Sequence, residues 1–340
     1  MGRIQSVDVC RVFAIVAVIC LHTAAYDGPH AVGRDMDGAT FLVNASRFAV
    51  PMFFVLAGYF LGRYAAPDVM RASIRTSKRM LLMFLVWSCV YLAVAGVRFS
   101  LDNGVAGTVK QLYWTLLEPR TVLLALLEGP KVHLWFLPAF ISIVLIAGVL
   151  VARGLDTLLL PLGAVLFGLA LAGGPYAPVF DLESPINTRN GPFFGMIFFA
   201  TGFLLQRMGQ HPAWLPLGMT LTLAGFALQL AEVQWLHGRW GTSMSQDFVG
   251  GTYLFGVGVA LVALSNPRLL QLPMVASAGE LVLGIYASHY LFIDLMRPLD
   301  NDYHGIFAWD LAYVAGVFVL AACATYVLWR YPPTRRFVAP

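Results

Sequence analysis

The sequence predicts an all-α polytopic membrane protein of ten transmembrane helices with both termini in the cytoplasm. Its 340 residues are 59% hydrophobic and 12% charged, whereas about a quarter of the residues in soluble domains are charged. The apolar residues fall into ten runs of roughly the 17–25 residues that a spanning helix requires. No polar stretch is long enough to build a separate soluble core, so we predict that residues 1–340 form a single integral-membrane domain.

The ten predicted spans follow one another along the whole chain. They cover approximately 9–26, 40–62, 79–98, 134–151, 155–172, 192–207, 213–232, 248–265, 274–296 and 307–329. The segment 105–127 is also rich in apolar residues, but it contains Lys110, Glu118 and Arg120. We therefore predict an amphipathic helix at the membrane surface there, rather than an eleventh span.

The basic residues indicate how these spans are oriented. With a cytoplasmic N-terminus, twelve Lys and Arg residues fall in cytoplasmic segments and eight in the longer outer loops, in agreement with the positive-inside rule. An even number of spans also returns the C-terminal cluster of Arg330, Arg335 and Arg336 to the cytoplasm. The net charge of +4 thus reflects membrane orientation, and we predict no nucleic-acid partner.

The first predicted helix carries Asp8, Arg11 and His22 within its apolar run. Titratable side chains at membrane depth are costly, so they are functional candidates by default. Arg11 and His22 are eleven residues apart, which places them on one side of a helix and about 16 Å apart along its axis. His22 is a candidate general base, because histidine titrates near neutral pH. The alternative is a structural histidine that bonds a backbone carbonyl at the membrane edge.

Two groups of cations are candidates for binding an anionic ligand. Arg47 lies inside the second span, before Pro51, and a buried guanidinium requires an anionic partner from the protein or from a substrate. The loop that follows this span contains Arg63, Arg71, Arg75, Lys78 and Arg79. These residues either anchor the topology and attract anionic lipids or bind a polyphosphate donor such as coenzyme A. No metal site is predicted.

Further candidates for substrate binding lie before or within the later spans. His133 and Trp135 precede the fourth span, where they are either ordinary interfacial aromatics or part of a sugar-binding wall. Tyr286 and His289 share one face of the ninth span. The full set of predicted substrate-binding residues is His133, Trp135, Asn187, Arg189, Glu280, Tyr286 and His289.

Taken in order, these motifs resemble the membrane-bound acyltransferase family 3, a ten-helix bacterial family. The motifs are Arg11 with His22, Pro51–Gly58, His133–Leu137, Pro192–Gly202 and Gly284–His289. Each is weak alone, but their joint occurrence over essentially the whole chain is specific. The spacing of Arg47 and Pro51 is most similar to the branch that contains the enterobacterial common antigen O-acetyltransferase and the membrane domains of serine racemases. Ala57 departs from the pattern, because many members have serine there.

The resemblance implies an enzyme of the bacterial cytoplasmic (inner) membrane that moves an acyl group to a hydroxyl of a cell-envelope glycan or glycolipid. The usual donor is cytoplasmic acetyl-CoA. His22 would be the catalytic base and Arg11 its required partner, while Arg47 and the basic loop would hold the donor. Whether His22 acts as a base or itself becomes acetylated is left open. A transporter or flippase, or an amino-acid uptake module, is the alternative, and only an acyltransferase requires an acyl-CoA.

Overall fold

The structure is a computed structural model that describes residues 4–23, 36, 38–266, 269–303 and 306–338, and these residues contain no β-strand. In chain order the helices are α1 (Gln5–Thr23), α2 (Gly38–Ser46), α3 (Ala49–Leu61), α4 (Ala66–Leu117), α5 (Pro119–Glu128), α6 (Phe136–Ala152), α7 (Leu159–Gly173), α8 (Ala177–Phe180), α9 (Pro192–Met208), α10 (Trp214–Trp240), α11 (Gly250–Ser265), α12 (Pro273–Ala278), α13 (Val282–Tyr303), α14 (Phe307–Arg330) and α15 (Pro332–Arg335). Short 3-10 turns at Val132–Trp135 and Asp156–Leu158 precede α6 and α7.

Seven helical segments in the described part of the chain are long and apolar enough to cross a membrane. They are Gln5–Thr23, Gly38–Leu61, Ala66–Tyr113, Val132–Ala152, Asp156–Gly173, Trp214–Trp240 and Phe307–Arg330. Two further helices, α9 and α11, are apolar but shorter, and α13 has 22 residues but carries charged side chains in its second half. The all-helical architecture is confirmed for the described residues, with seven candidate membrane spans, whereas the count of ten and the orientation of the termini stay predictions. Residues 24–26 of the first predicted span lie outside the described residues, as do Arg3, Arg34 and Arg268.

The second predicted span is broken into α2 and α3 at Arg47 and Phe48. Pro51 explains the break, because a proline has no backbone N–H to donate and its ring clashes with the carbonyl four residues earlier, here that of Arg47. The ninth predicted span is also divided, by a turn after α12, so that α13 begins at Val282.

The third predicted span is part of a much longer helix. The 52-residue α4 is interrupted at Gly104, whose φ of 73° and ψ of 164° are not helical. The predicted amphipathic segment corresponds to the end of α4 together with α5, and α5 buries no side chain.

Helix α1 lies at the centre of the bundle and defines its two ends. We call the end where α1 begins, at Gln5, the proximal end, and the end where α1 stops, at Thr23, the distal end. Helices α2, α3, α11, α12, α13 and α14 contact α1. The outer helices join this group as pairs, with α9 against α3, α4 against α6, α7 against α9 and α10 against α11.

Helices α3 and α9 approach each other until their backbones touch. A Cβ atom added to Gly58 would lie 1.9 Å from the carbonyl oxygen of Phe199, and one added to Gly202 would lie 1.8 Å from that of Val55. Small residues at such a crossing are the usual means by which membrane helices pack closely. Gly58 and Gly202 therefore permit the close approach of α3 and α9.

The Gly58→Ala variant is expected to lower stability by about 1–3 kcal/mol or more, because the added methyl group forces α3 and α9 apart. Thermal unfolding in detergent, compared with the wild type, measures the loss. The control is Gly168→Ala in α7, where an added Cβ meets no atom within 4 Å. Equal melting temperatures for the two variants would contradict the assignment of a backbone contact at Gly58.

Candidate active site

A cavity of about 370 Å³, here called the distal cavity, opens beside the distal end of α1. The polar, charged and aromatic side chains of its wall include His22, Arg47, His133, Trp135, Arg189, Asp247 and Tyr286. Five of the predicted catalytic and substrate-binding residues, from α1, the turn before α6, the loop before α9 and α13, therefore meet in one place. Arg47 joins them from the break between α2 and α3.

Three histidine rings are clustered at this cavity. The ring centroid of His22 lies 5.5 Å from that of His289 and 6.3 Å from that of His133, and the His133 and His289 centroids are 4.9 Å apart. Tyr290 completes the cluster, with its ring stacked on His133 at 5.1 Å and 5.4 Å from His22. His133 and His289 are buried, whereas His22 is partly exposed to the cavity.

Hydrogen bonds fix the orientation of this cluster. The His289 Nδ1 atom lies 2.6 Å from the carbonyl oxygen of Tyr286, and since a carbonyl only accepts, Nδ1 carries the hydrogen. The Tyr286 hydroxyl donates to the carbonyl oxygen of His133. The His289 Nε2 atom and both ring nitrogens of His133 have no partner among the described residues. Nor do those residues contain a group of three or more His, Cys, Asp or Glu placed to hold a metal ion.

An ion cluster of Arg47, Asp247 and Arg189 forms another wall of the distal cavity. The Arg47 Nη1 atom lies 3.3 Å from Asp247 Oδ1, and Arg189 Nη1 lies 2.8 Å from Asp247 Oδ2. Arg47 also donates to the Ser245 carbonyl at 3.0 Å, and the Arg189 guanidinium lies over the Trp135 ring at 5.4 Å. Desolvation raises the pKa of the Asp247 carboxyl, but the charges of Arg189 and Arg47 outweigh it and hold this pKa below its ordinary value. Asp247 thus stays ionised at neutral pH.

A larger cavity, of about 660 Å³, opens at the proximal end of the bundle. Four arginines line this proximal cavity, namely Arg11, Arg63, Arg75 and Arg79. Arg11 pairs with Asp8 at 3.4 Å and lies over the Phe60 ring at 5.2 Å. Arg63 lies over the same ring at 4.6 Å. Deeper in, the wall is apolar, so the cavity changes from cationic at its mouth to hydrophobic near its base.

The two cavities share part of their walls, and we call this shared part the waist. The waist is formed by the residues that line both cavities, namely Val18, Val50, Phe136 and Tyr286. His22 is one helical turn beyond Val18, on the distal side of the waist. A ligand in the proximal cavity therefore approaches the histidine cluster from the proximal side of the waist. A ligand in the distal cavity lies directly against the cluster.

The structure separates several residues that the sequence grouped together. Arg11 and His22 lie in different cavities and do not touch. Arg47 was grouped with the donor-binding loop, but its guanidinium is in the distal cavity. In the loop itself, Arg71 is 79% exposed and pairs with Asp68, and neither Arg71 nor Lys78 lines the proximal cavity. Glu280 is exposed in the turn before α13, at the proximal end, away from the other predicted substrate-binding residues.

Asp247 and Tyr290 belong to the site but were not among the predicted residues. A signal for Asp247 was present, because a buried guanidinium at Arg47 requires an anionic partner. The sequence offers several acidic residues in loops on that side, and it does not show which one folds back onto Arg47 from 200 positions away. Tyr290 follows His289 directly, and only the packing of α13 against the turn before α6 shows that its ring covers His133. Asn187 contributes indirectly, since its side chain accepts from the Arg189 backbone N–H at 3.1 Å.

Comparison with known proteins gives distant relatives that are described as racemases. One is an amino-acid racemase of Enterococcus faecalis, 25% identical over 222 residues, which are 61% of this chain and 30% of the relative. Another is a serine/alanine racemase of Enterococcus gallinarum, 25% identical over 252 residues, which are 69% of this chain and 33% of the relative. The chain thus spans about a third of the length of these curated relatives. No solved structure matches it significantly.

A family model described as an acyltransferase domain matches residues 4–330. This range includes α1 with Asp8, Arg11 and His22, both cavities and the waist between them. The match covers nearly all of the described chain, in agreement with the resemblance that the motifs indicate. The chain belongs to acyltransferase family 3, and its long apolar helices indicate a multi-pass membrane protein.

Proposed function

We propose that this protein is an integral-membrane O-acetyltransferase, which moves an acetyl group from acetyl-CoA to a hydroxyl of a cell-envelope glycan or glycolipid. The observation that carries the proposal is the meeting of two unlike cavities at one waist beside His22. One cavity has the chemistry expected for a nucleotide thioester, and the other has polar and aromatic groups around a potential base. A transporter needs a path but has no need of a base at the point where two cavities meet.

The proximal cavity suits the donor. The adenosine diphosphate part of coenzyme A is polyanionic, and arginine forks match phosphate oxygens in charge and geometry. The four arginines at the mouth supply that charge, and the apolar interior admits the narrow pantetheine arm. The acetyl thioester at the end of this arm would then reach the waist. Arg11 serves the donor in this arrangement, rather than acting directly on His22.

The distal cavity suits the acceptor and the chemical step. With His22 as general base, a ring nitrogen takes the proton from the acceptor hydroxyl, and its oxygen attacks the thioester carbonyl carbon. The tetrahedral intermediate collapses with cleavage of the carbon–sulfur bond, and the proton passes from His22 to the leaving thiolate. Arg47 and Arg189 lie on the same cavity with Nε atoms that have no partner among the described residues, so they offer positive charge for anionic species formed there.

The proximal end would face the cytoplasm, because acetyl-CoA is a cytoplasmic metabolite and the basic loop lies at that end. This assignment places both termini in the cytoplasm, with ten spans formed by the seven candidate segments together with α9, α11 and α13. The membrane would be the bacterial cytoplasmic (inner) membrane, and the modified polysaccharide or glycolipid would be reached from its outer side.

The direct test uses the purified protein in proteoliposomes with acetyl-CoA labelled in the acetyl group. We expect CoA release and transfer of label to an envelope glycan fraction with the wild type, and neither with His22→Ala. Absence of both CoA binding and CoA release in the wild type would contradict the proposal. Movement of an envelope precursor or a small polar solute without a donor would then favour the transporter.

The Arg79→Ala variant is expected to raise the KM for acetyl-CoA about tenfold, because a charge-assisted bond to phosphate contributes about 1.5–3 kcal/mol. The KM for the acceptor should not change. Arg71→Ala is the matched control, since Arg71 belongs to the same basic loop but does not line the proximal cavity. Steady-state kinetics at saturating acceptor give the KM for acetyl-CoA of each variant. An equal change in this KM for Arg79→Ala and Arg71→Ala would indicate that the loop interacts with the membrane surface and does not bind the donor.

A further inference from the structure

A third cavity, of about 570 Å³, adjoins the distal cavity, and the catalytic chemistry above does not account for it. Of the predicted site residues, Asn187 lines this cavity. We call it the polar cleft. Arg120 and Leu124 of α5 form one of its walls, and segments 184–188 and 245–248 form the others. Ser245, Asp247 and Phe248 line both the polar cleft and the distal cavity. The cleft therefore continues directly from the cavity that holds His22.

The hydrogen-bonding groups of the polar cleft are arranged to receive hydroxyl groups. The Ser184 hydroxyl donates to the Ile186 carbonyl at 2.7 Å, and the Thr188 hydroxyl donates to the Ala170 carbonyl at 2.9 Å. Because each hydroxyl has used its only hydrogen, the oxygens are left as acceptors. The Asp247 carboxylate adds acceptors and the Arg120 guanidinium adds donors. A ligand rich in hydroxyl groups can both donate and accept, and so complements this set.

The cleft also offers the apolar faces that a sugar ring requires. Phe248 lies at the boundary with the distal cavity, and Pro175 and Pro185 line the cleft further out. Sugar rings present C–H groups on their faces and hydroxyls around their edges, so mixed walls of this kind suit them. An amino acid or another small metabolite would be held within the distal cavity alone and would leave this cleft unused.

We propose that the polar cleft is a second acceptor subsite, and that the acceptor is an oligosaccharide or polysaccharide of at least two sugar units. The unit to be acetylated lies in the distal cavity against His22, and its neighbour lies in the polar cleft. The distal cavity, at about 370 Å³, is near the lower end of the usual range for ligand pockets, so a longer acceptor continues outward past Asp247. This inference rests on the proposed function and adds the length of the acceptor to it.

The test compares wild type with Leu124→Trp, which fills the cleft from the α5 side. Because α5 buries no side chain, the substitution should not disturb folding, and a melting curve in detergent checks this. Leu123→Trp is the matched control, since Leu123 is the neighbouring residue, is 50% exposed and does not line the cleft. The acceptors are fractions of a partial hydrolysate of envelope glycan, separated into one, two, and three or more sugar units. Label from acetyl-CoA is followed in each fraction, and CoA release is followed separately.

We expect the wild type to label fractions of two or more units in preference to single units. Leu124→Trp should lower transfer to the longer fractions by at least about tenfold, the effect of losing one or two hydrogen bonds to the acceptor, and Leu123→Trp should not. Equal labelling of single units, or equal behaviour of the two variants, would overturn the subsite. His22-dependent CoA release with no label on any glycan fraction would also overturn it, while leaving the donor half of the proposed function standing. Absence of CoA release by the wild type with every acceptor fraction would overturn the proposed function.

Discussion

Replacing His22 with alanine is expected to lower acyl transfer by about 10²- to 10⁴-fold, the usual contribution of a general base. The loss should be in kcat, with little change in the KM for acetyl-CoA, because His22 lies beyond the waist from the arginines that line the proximal cavity. Folding should be retained, since the His22 side chain borders a cavity and its removal leaves no charge unpaired. Transfer of labelled acetyl in proteoliposomes, with a melting curve for each protein, measures both quantities.

The control for this variant is His237→Ala. The His237 ring bonds the Thr242 carbonyl at the end of α10, at 2.6 Å, and it lines none of the three cavities described above. Activity of His22→Ala within threefold of His237→Ala would contradict the role of His22. Incubating the wild type with labelled acetyl-CoA in the absence of acceptor separates the two chemical routes. Label retained on the wild type but not on His22→Ala would indicate an acetylated His22, and absence of label on the wild type would favour direct transfer.

Replacing Asp247 with alanine is expected to abolish most activity and to destabilise the protein. The change leaves the guanidinium groups of Arg47 and Arg189, whose side chains are only 12% and 14% exposed, facing each other without a counter-charge. Because the Asp247 side chain is itself 38% exposed, water screens part of the effect, and we expect a loss of about 1–3 kcal/mol rather than that of a fully buried pair. Thermal unfolding in detergent measures it.

A double variant distinguishes charge repulsion from loss of packing. Asp247→Ala with Arg189→Leu removes one of the two facing cations and returns the net charge of the cluster to its wild-type value. It should therefore recover part of the lost stability, and the difference from additivity gives the coupling energy. Activity should not return, since both side chains line the distal cavity. Strictly additive losses in stability would show that the three residues are not electrostatically coupled.

The stability that Asp247 provides should depend on pH in a defined direction. Its pKa in the folded protein lies below the ordinary value, so the contribution is complete above about pH 4, the ordinary aspartate pKa, and is lost as the pH falls through the folded pKa. The difference in melting temperature between wild type and Asp247→Ala should therefore be constant around neutral pH and narrow only in acid. Narrowing at alkaline pH would contradict the assignment.

Much of the fold and of the site could be predicted from the sequence, because a bilayer imposes strong rules on a chain. The cost of a charge in the membrane singled out His22, and the spacing of Tyr286 and His289 showed that they share a face. The structure brings these residues together with His133, Trp135 and Arg189. Helical geometry could also have separated Arg47 from Arg63, since sixteen residues of helix span about 24 Å, which places them near opposite ends of the second predicted span.

The contacts between distant loops could not be predicted in the same way. Asp247 reaches Arg47 because the segment between α10 and α11 folds over the distal cavity, and neither periodicity nor charge count determines that path. The same applies to α5, whose composition predicts a surface helix but not that Arg120 and Leu124 face the polar cleft. The division of the second span at Arg47 could have been inferred from Pro51, because the carbonyl that a proline displaces lies four residues before it.

The waist has a consequence for the membrane as well as for the reaction. If donor and acceptor enter from opposite faces, one cavity opens to each side of the membrane, and the two approach each other at Val18, Val50, Phe136 and Tyr286. A cell that stores energy as a proton gradient then depends on the waist remaining closed between turnovers. In that arrangement Phe136, the largest apolar side chain of the waist, would be part of the permeability barrier of the membrane. Its truncation would threaten the viability of the host cell even if the protein still transferred acetyl groups.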